Sequence, residues 1–247
     1  MATTIGALIL YLVWTALTYW LEGRQHTLLR PEATRPRLIY AVVANLLVGI
    51  VAAGWFLKVQ DEVSPGKAGF HNILHAAAAV VIAVVLGVAI YLLMRPPTRH
   101  LVVMLNGFAQ VWTVSAAEVV ICWAVVGGAI EAALRHQGVS GASIIAALVA
   151  SLLFGLYHIA HSPPFNSPRM IAGLAAVGLL TSVFFFVSRD VYGTIVFHNF
   201  FALTGVLNAL RRTEAFQQYQ RPVWPLLITA VISAGLIVLV QVVWLST

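Results

Sequence analysis

Residues 142–161 read ASIIAALVASLLFGLYHIAH, twenty positions without a single Asp, Glu, Lys or Arg. As a helix rising 1.5 Å per residue, a stretch of that length covers about 30 Å, the thickness of the hydrocarbon core of a bilayer. It stops at Ser162-Pro163-Pro164, where proline removes a backbone donor and clashes with a continuing helix. Working outward, seven further runs satisfy the same criterion, near 4–22, 38–57, 73–94, 101–126, 168–187, 192–211 and 223–245. The pattern predicts an all-α integral membrane protein, a bundle of about eight transmembrane helices.

Composition agrees. The 247 residues are 61% hydrophobic and 9% charged, with mean hydropathy +0.93, whereas soluble domains carry about 25% charged residues. No repeat of fixed period and no polar linker divides the chain, so residues 1–247 read as a single polytopic domain. The opening MATTIGALILYLVWTALTYWLEG lacks the basic start and small-residue cleavage site of a signal peptide and reads as a retained span. One cysteine, Cys122, leaves no internal disulfide and no cysteine-based metal cluster. The net charge of +6 is scattered over short loops, with no basic stripe interleaved with aromatics, so nucleic acid is not an expected partner. The lipid bilayer is, together with a membrane-protein partner or a peptide substrate.

Orientation follows from Lys and Arg. Placing the loops 23–37, 95–100, 162–167 and 212–222 and their flanks in the cytoplasm gathers ten basic residues there and leaves Lys58, Lys67, Arg135 and Arg189 opposite. Both termini are then expected on the non-cytoplasmic side. The segment GGAIEAALRHQGVSG, 127–141, is too polar and glycine-rich for a ninth span and reads as a short helix or re-entrant piece hanging off the fourth.

Ionisable residues inside a span are costly unless paired or facing a cavity, and so mark candidate sites. On the fourth span Asn106, Gln110 and Thr113 share one face, a stripe read first as hydrogen bonding to a neighbouring helix. Glu118, eight residues after Gln110, is turned about 80° from it, at the stripe's edge. The histidines fall into groups. His71 and His75, four apart, have a spacing that can bind metal from one helix face. His158 and His161 close the fifth span, and His161, just before the proline pair, reads as an interfacial histidine, as do His26, His100 and His136. His198 stands alone inside the seventh span.

These residues carry a resemblance. An acidic ExxxR segment, then LLFGLYH (152–158), then SRDVYGTIVFHNF (188–200) resembles the CPBP family of intramembrane proteases, which includes the CAAX prenyl endopeptidases and bacteriocin-processing (Abi-like) proteins. The family's motifs are EExxxR, FxxxH and HxxxN, carried on the later helices of an eight-helix bundle, and the similarity covers residues 115–210. Phe154 and His158 satisfy FxxxH, and Glu131 and Arg135 match the second glutamate and the arginine of EExxxR. His198 matches the histidine of HxxxN. The family's first glutamate, implied to be the general base, corresponds to Ile130, and its asparagine to Ala202; Asn199 follows His198 directly but faces about 100° away.

What the resemblance implies is therefore divided. Loss of a base and of an oxyanion donor, the latter worth roughly 10²–10³ in rate, points to a fold whose proteolysis is lost or altered, acting as a membrane adaptor, assembly factor or complex subunit. The alternative is an active endopeptidase with Glu131, His158 and His198 as catalytic residues, supported by Arg135, Phe154, Asn199 and Glu118. A metal ion or haem on His75, His158 and His198 is a third reading that no spacing demands, and no cofactor is firmly implied. Counted from the turns that precede them, His158 and His198 lie about 17 and 8 residues along their helices, roughly 13 Å apart in depth if the helices start level.

Overall fold

The computed structural model describes residues 2–30, 33–60, 62–212 and 215–245. Among the described residues, eight helices are long and apolar enough to cross a membrane: α1 (Ala2–Gly23), α2 (Thr34–Val59), α3 (Ile73–Leu93), α4 (Leu101–His136), α5 (Ala142–Ala160), α6 (Pro168–Ser188), α7 (Val191–Arg212) and α8 (Trp224–Leu245). Among the described residues there is no strand. The protein is an all-α, multi-pass membrane bundle.

Local chemistry sets the helix boundaries. Asn72 caps α3 by accepting the His75 N–H at 3.0 Å, and Ser167, followed by Pro168, caps α6. Asp190 caps α7, its Oδ1 accepting the Gly193 N–H at 2.7 Å. His71 therefore lies before α3 rather than on it. Its ring nevertheless rests 4.2 Å from that of His75, centroid to centroid, and His75 Nε2 is engaged 2.8 Å from the Ser188 carbonyl oxygen.

Helix α4 is the axle. Nearly all of its apolar window is buried, against about a quarter for α1, α3, α6 and α8. Its Val119–Val126 segment is enclosed on all sides, while residues such as Leu12, Ile73 and Val187 stand exposed on the outer helices, where lipid replaces water as solvent. The segment 127–141 is not a separate piece: α4 runs unbroken to His136, with wider π-type turns over Val119–Gly127. Gly127 and Gly128 do not break the helix, because both are buried. At 36 residues α4 is about 54 Å long, well beyond a bilayer core.

Close approach of helices depends on small residues, since lipid supplies no hydrophobic drive between them. A Cβ on Gly193 of α7 would fall 2.8 Å from the backbone of Ala79 on α3. At the other critical contact, a Cβ on Gly23 would lie 2.2 Å from the Ala160 carbonyl oxygen, so the end of α1 abuts the end of α5. Trp14 stacks on Tyr157 at 3.8 Å with 8° between planes, and the Tyr157 hydroxyl lies 3.2 Å from both Thr18 Oγ1 and Tyr40 Oη. This contact delivers Glu22, at the foot of α1, to the end of α5.

Asn106 and Gln110 anchor loops. Asn106 donates to the Tyr219 and Arg221 carbonyls and accepts from the Val223 N–H. Gln110 donates to the Leu28 carbonyl at 2.6 Å and accepts from the Tyr219 hydroxyl. Thr113 is buried with its hydroxyl unpartnered.

Candidate active site

The bundle brings a carboxylate and three imidazoles from three helix regions to one place. Glu118 lies at the junction of the α-helical and π-type parts of α4, 4% exposed. From α7, His198 places Nε2 3.0 Å from Glu118 Oε2. From the end of α5, His158 places Nε2 3.7 Å from Glu118 Oε1. Phe154 packs edge-on to both rings, centroids 4.8 Å from His158 and 5.0 Å from His198. The depth difference counted along the sequence does not keep the two histidines apart: they converge on the two oxygens of one carboxylate. Registry supports this: Thr181 and His198, each eight residues from Arg189–Asp190, meet at 2.9 Å, and Ser151 of α5 meets Ser182 at 2.8 Å.

Donor accounting fixes what these rings present. His158 Nδ1 lies 2.9 Å from the Phe154 carbonyl oxygen, which only accepts, so Nδ1 carries the proton and Nε2 turns a bare lone pair toward Glu118. At 3.7 Å the two acceptors are not hydrogen-bonded to each other. His198 is satisfied as a neutral ring if Nε2–H donates to Glu118 and the Thr181 hydroxyl turns its one hydrogen to Nδ1 rather than to the Val177 carbonyl oxygen 3.0 Å away.

A second carboxylate–imidazole couple adjoins the first. Glu22 is fully buried and accepts the Ser162 N–H at 2.9 Å and the Ser162 hydroxyl at 2.5 Å. His161 Nδ1 lies 3.0 Å from Glu22 Oε2, and the His161 ring stacks on His158 at 5.0 Å and 26°. His161 is 3% exposed, so it is not an interfacial residue: the Gly23–Ala160 contact closes α1 over it. Glu22 escaped notice in the sequence, although a glutamate in the apolar run YWLEG carries the same signal as Glu118.

Glu118, His158, His161 and His198 line a cavity of about 100 Å³, otherwise walled mainly by apolar side chains such as Leu174, Val177 and Phe201. Ala202 lines it too and offers no donor. Asn199 turns away, donating to the Phe108 carbonyl at 3.2 Å, with Oδ1 buried and unpartnered.

Glu131 is elsewhere, thirteen residues and about 20 Å farther along α4. Its carboxylate takes a forked pair of hydrogen bonds from Arg189, at 2.6 and 2.7 Å, and further bonds from Arg135 at 2.8 Å and Ser143 at 2.5 Å. It ties the end of α4 to the start of α5 and the α6–α7 turn. Of the expected trio Glu131, His158 and His198, the fold unites the two histidines, and Glu118 occupies the acidic place beside them. His75, bound to the Ser188 carbonyl, does not join His158 and His198.

Residues 101–204 match a protein-family model described as type II CAAX prenyl endopeptidase Rce1-like. No curated protein and no solved structure matches the chain. The matched stretch contains Glu118, Phe154, His158, His161 and His198 but not Glu22. That stretch forms most of α4 to α7, so the chain is a multi-pass membrane protein whose central helices are similar to the Rce1-like endopeptidase model.

Proposed function

We propose that this protein is an intramembrane endopeptidase that hydrolyses a prenylated, CAAX-type peptide, with Glu118 rather than Glu131 as its acidic residue. The observation that carries this reading is the Glu118 carboxylate set between His198 and His158 on the wall of an apolar cavity. A water between Glu118 Oε1 and His158 Nε2 donates one hydrogen to each and keeps a lone pair free for attack. Its oxygen adds to the scissile carbonyl carbon. The proton it releases passes to the Glu118–His158 pair and then to the leaving amine as the C–N bond breaks. His198, held by Thr181, is placed to steady the carboxylate and to face the developing oxyanion. The prenyl chain suits the apolar walls.

Glu118 also changes the weight of Ile130. An isoleucine at that position removes no base when another carboxylate already stands at the histidines, and Ile130 packs against the core. One specific observation still favours a non-catalytic subunit: Ala202, which lines the cavity without an amide. The test is cleavage of a farnesylated CAAX peptide by purified protein in proteoliposomes, comparing Glu118→Gln with Glu131→Gln. Loss in the first and retention in the second supports the reading. A wild-type protein that cleaves no prenylated peptide, while Ala202→Asn does, would favour the non-catalytic one.

A further inference from the structure

We infer that a groove between the α2–α3 loop, the end of α4 and the α6–α7 turn binds the phosphate of an anionic phospholipid headgroup. The groove has a volume of about 460 Å³, and Ser64, Lys67, His71, Glu131, Arg135 and Arg189 are among the residues that line it. It lies about 20 Å along α4 from Glu118 and shares no lining residue with the cavity of the histidine cluster.

Unused donors point to an anion. Three cations line the groove against one carboxylate, Glu131. Glu131 holds both guanidinium groups without exhausting them. Arg189 gives it Nη1 and Nη2, and Arg135 gives it Nε and Nη2. Arg189 Nε and Arg135 Nη1 have no partner among the described residues, and Lys67 makes no ion pair there. Arg189 is further fixed over the Phe186 ring, 4.8 Å from its centroid. Guanidinium forks held in place in this way lose little freedom on meeting a phosphate, whose oxygens match their geometry. Glu62 lines only the adjoining groove, beside Lys67 and Arg135, so a positive surplus remains even when it is counted.

The loop that carries Lys67 is built, not loose. The Ala68 N–H donates to the Ser64 carbonyl at 3.0 Å and the Phe70 N–H to the Pro65 carbonyl at 2.9 Å. The Val191 N–H donates to the Gly69 carbonyl at 2.9 Å, which joins the loop to the start of α7. Val63, Ala68 and Phe70 are buried while Lys67 is exposed. His71 Nε2, in the same lining, is buried without a hydrogen-bond partner; a phosphate oxygen accepts from an N–H at that atom.

Position favours a lipid over a free anion. Lys67, Arg135 and Arg189 stand at one end of the bundle, beside the ends of membrane-crossing helices, where headgroups lie. Within three residues of His71, Ile73 and Leu74 are 82% and 80% exposed, and Val187, two residues before Arg189, is 81% exposed. An amphiphile sets its phosphate among the cations and its acyl chains against such residues. Inorganic phosphate uses the first contact alone.

The test is lipid binding by the full-length protein, delipidated in a neutral detergent and followed by native mass spectrometry and thermal melting. Phosphatidylglycerol, phosphatidylcholine and inorganic phosphate are added separately; phosphatidylcholine carries the same phosphate without net charge. Phosphatidylglycerol is expected to bind at one equivalent, to raise the melting temperature and to persist against excess phosphatidylcholine. Inorganic phosphate at equal concentration should leave the melting temperature unchanged. Lys67→Gln should weaken phosphatidylglycerol about fivefold, and Lys67→Gln with Arg135→Gln about 25-fold. Arg99→Gln, at the opposite end of α4, should leave it unchanged. Melting without lipid identifies any variant that fails to fold; the three ligands on the unmutated protein decide the question without them. No retained phosphatidylglycerol, equal binding of phosphatidylcholine, or full affinity in the folded double variant overturns the site. Inorganic phosphate that binds as tightly as phosphatidylglycerol overturns the lipid in favour of a free anion.

Discussion

Replacing Glu118 by glutamine isolates the chemistry from the packing. Glutamine has the same length and keeps one oxygen to accept the His198 N–H at the present 3.0 Å. Its amide nitrogen then faces His158 Nε2 across the 3.7 Å gap, where a donor meets a bare lone pair and the gap can close. The variant should therefore fold, with a melting temperature close to that of the unmutated protein. What disappears is the second acceptor for the attacking water. General-base participation is worth about 10²–10⁴ in rate, which is about 2.7–5.4 kcal/mol in the barrier. Turnover of a quenched, farnesylated CAAX peptide in proteoliposomes should fall by that factor, mainly in kcat, because the cavity walls that hold the prenyl chain are untouched. Glu131→Gln supplies the contrast. It removes the charge that pairs with Arg189 and Arg135, about 20 Å from the histidines along the same helix, so it should lower the melting temperature and leave kcat of the folded fraction within a few-fold. Equal kcat in Glu118→Gln and the unmutated protein, or a loss in Glu131→Gln as large as in Glu118→Gln, would refute the assignment.

Four further outcomes follow from the same geometry. Ala202→Asn places an amide on the cavity wall and should raise kcat, up to the roughly 10²-fold value of one oxyanion donor; an unchanged or lower rate in a folded variant counts against the vacancy at Ala202. Gly23→Ala puts a methyl group 2.2 Å from the Ala160 carbonyl, so α1 must move outward at a cost of about 1–3 kcal/mol, seen as a lower melting temperature. Burial holds the Asp190 carboxyl above its usual range, offset in part by the Gly193 N–H and by His75 and His71; with the folded value raised, stability is lost as pH rises from the unfolded value through the folded one. Melting of the unmutated protein should fall relative to Asp190→Asn between acidic and neutral pH, and a pH-independent difference would contradict this. Finally, in a Cys122→Ala background, cysteines placed at Thr98 and at Ser64 should label from opposite faces of sealed vesicles, Thr98 from the cytoplasmic one; labelling from the reverse faces would overturn the charge-based orientation.

Much of the architecture was legible in the chain itself. Eight apolar runs separated by short polar loops leave an α-helical bundle as the solution, because a backbone in hydrocarbon must satisfy its own hydrogen bonds. The FxxxH pair Phe154 and His158, and His198 with its aromatic neighbours, could be read locally, since each motif lies within a single helix. The length of α4 could not: its glycines and Glu131 suggest a break, and only contacts with other helices, including Arg189 on the far side of the α6–α7 turn, remove it.

The choice of acid lay equally beyond the sequence. Glu131 has the motif spacing, and Glu118 sits about 80° off a stripe that anchors loops; which one meets the histidines depends on how α5 and α7 are staggered against α4. A count along the helices sets His158 and His198 about 13 Å apart in depth, whereas the two oxygens of Glu118 bridge them. Glu22 and His161 show the same division. The sequence by itself determined that a carboxylate and a histidine lie in apolar surroundings, where neither is tolerated alone. Only the tertiary structure decided that Gly23 lets the first helix touch the end of the fifth, because a partnership across 140 residues, from Glu22 to Ser162, is set by helix packing and not by any local spacing.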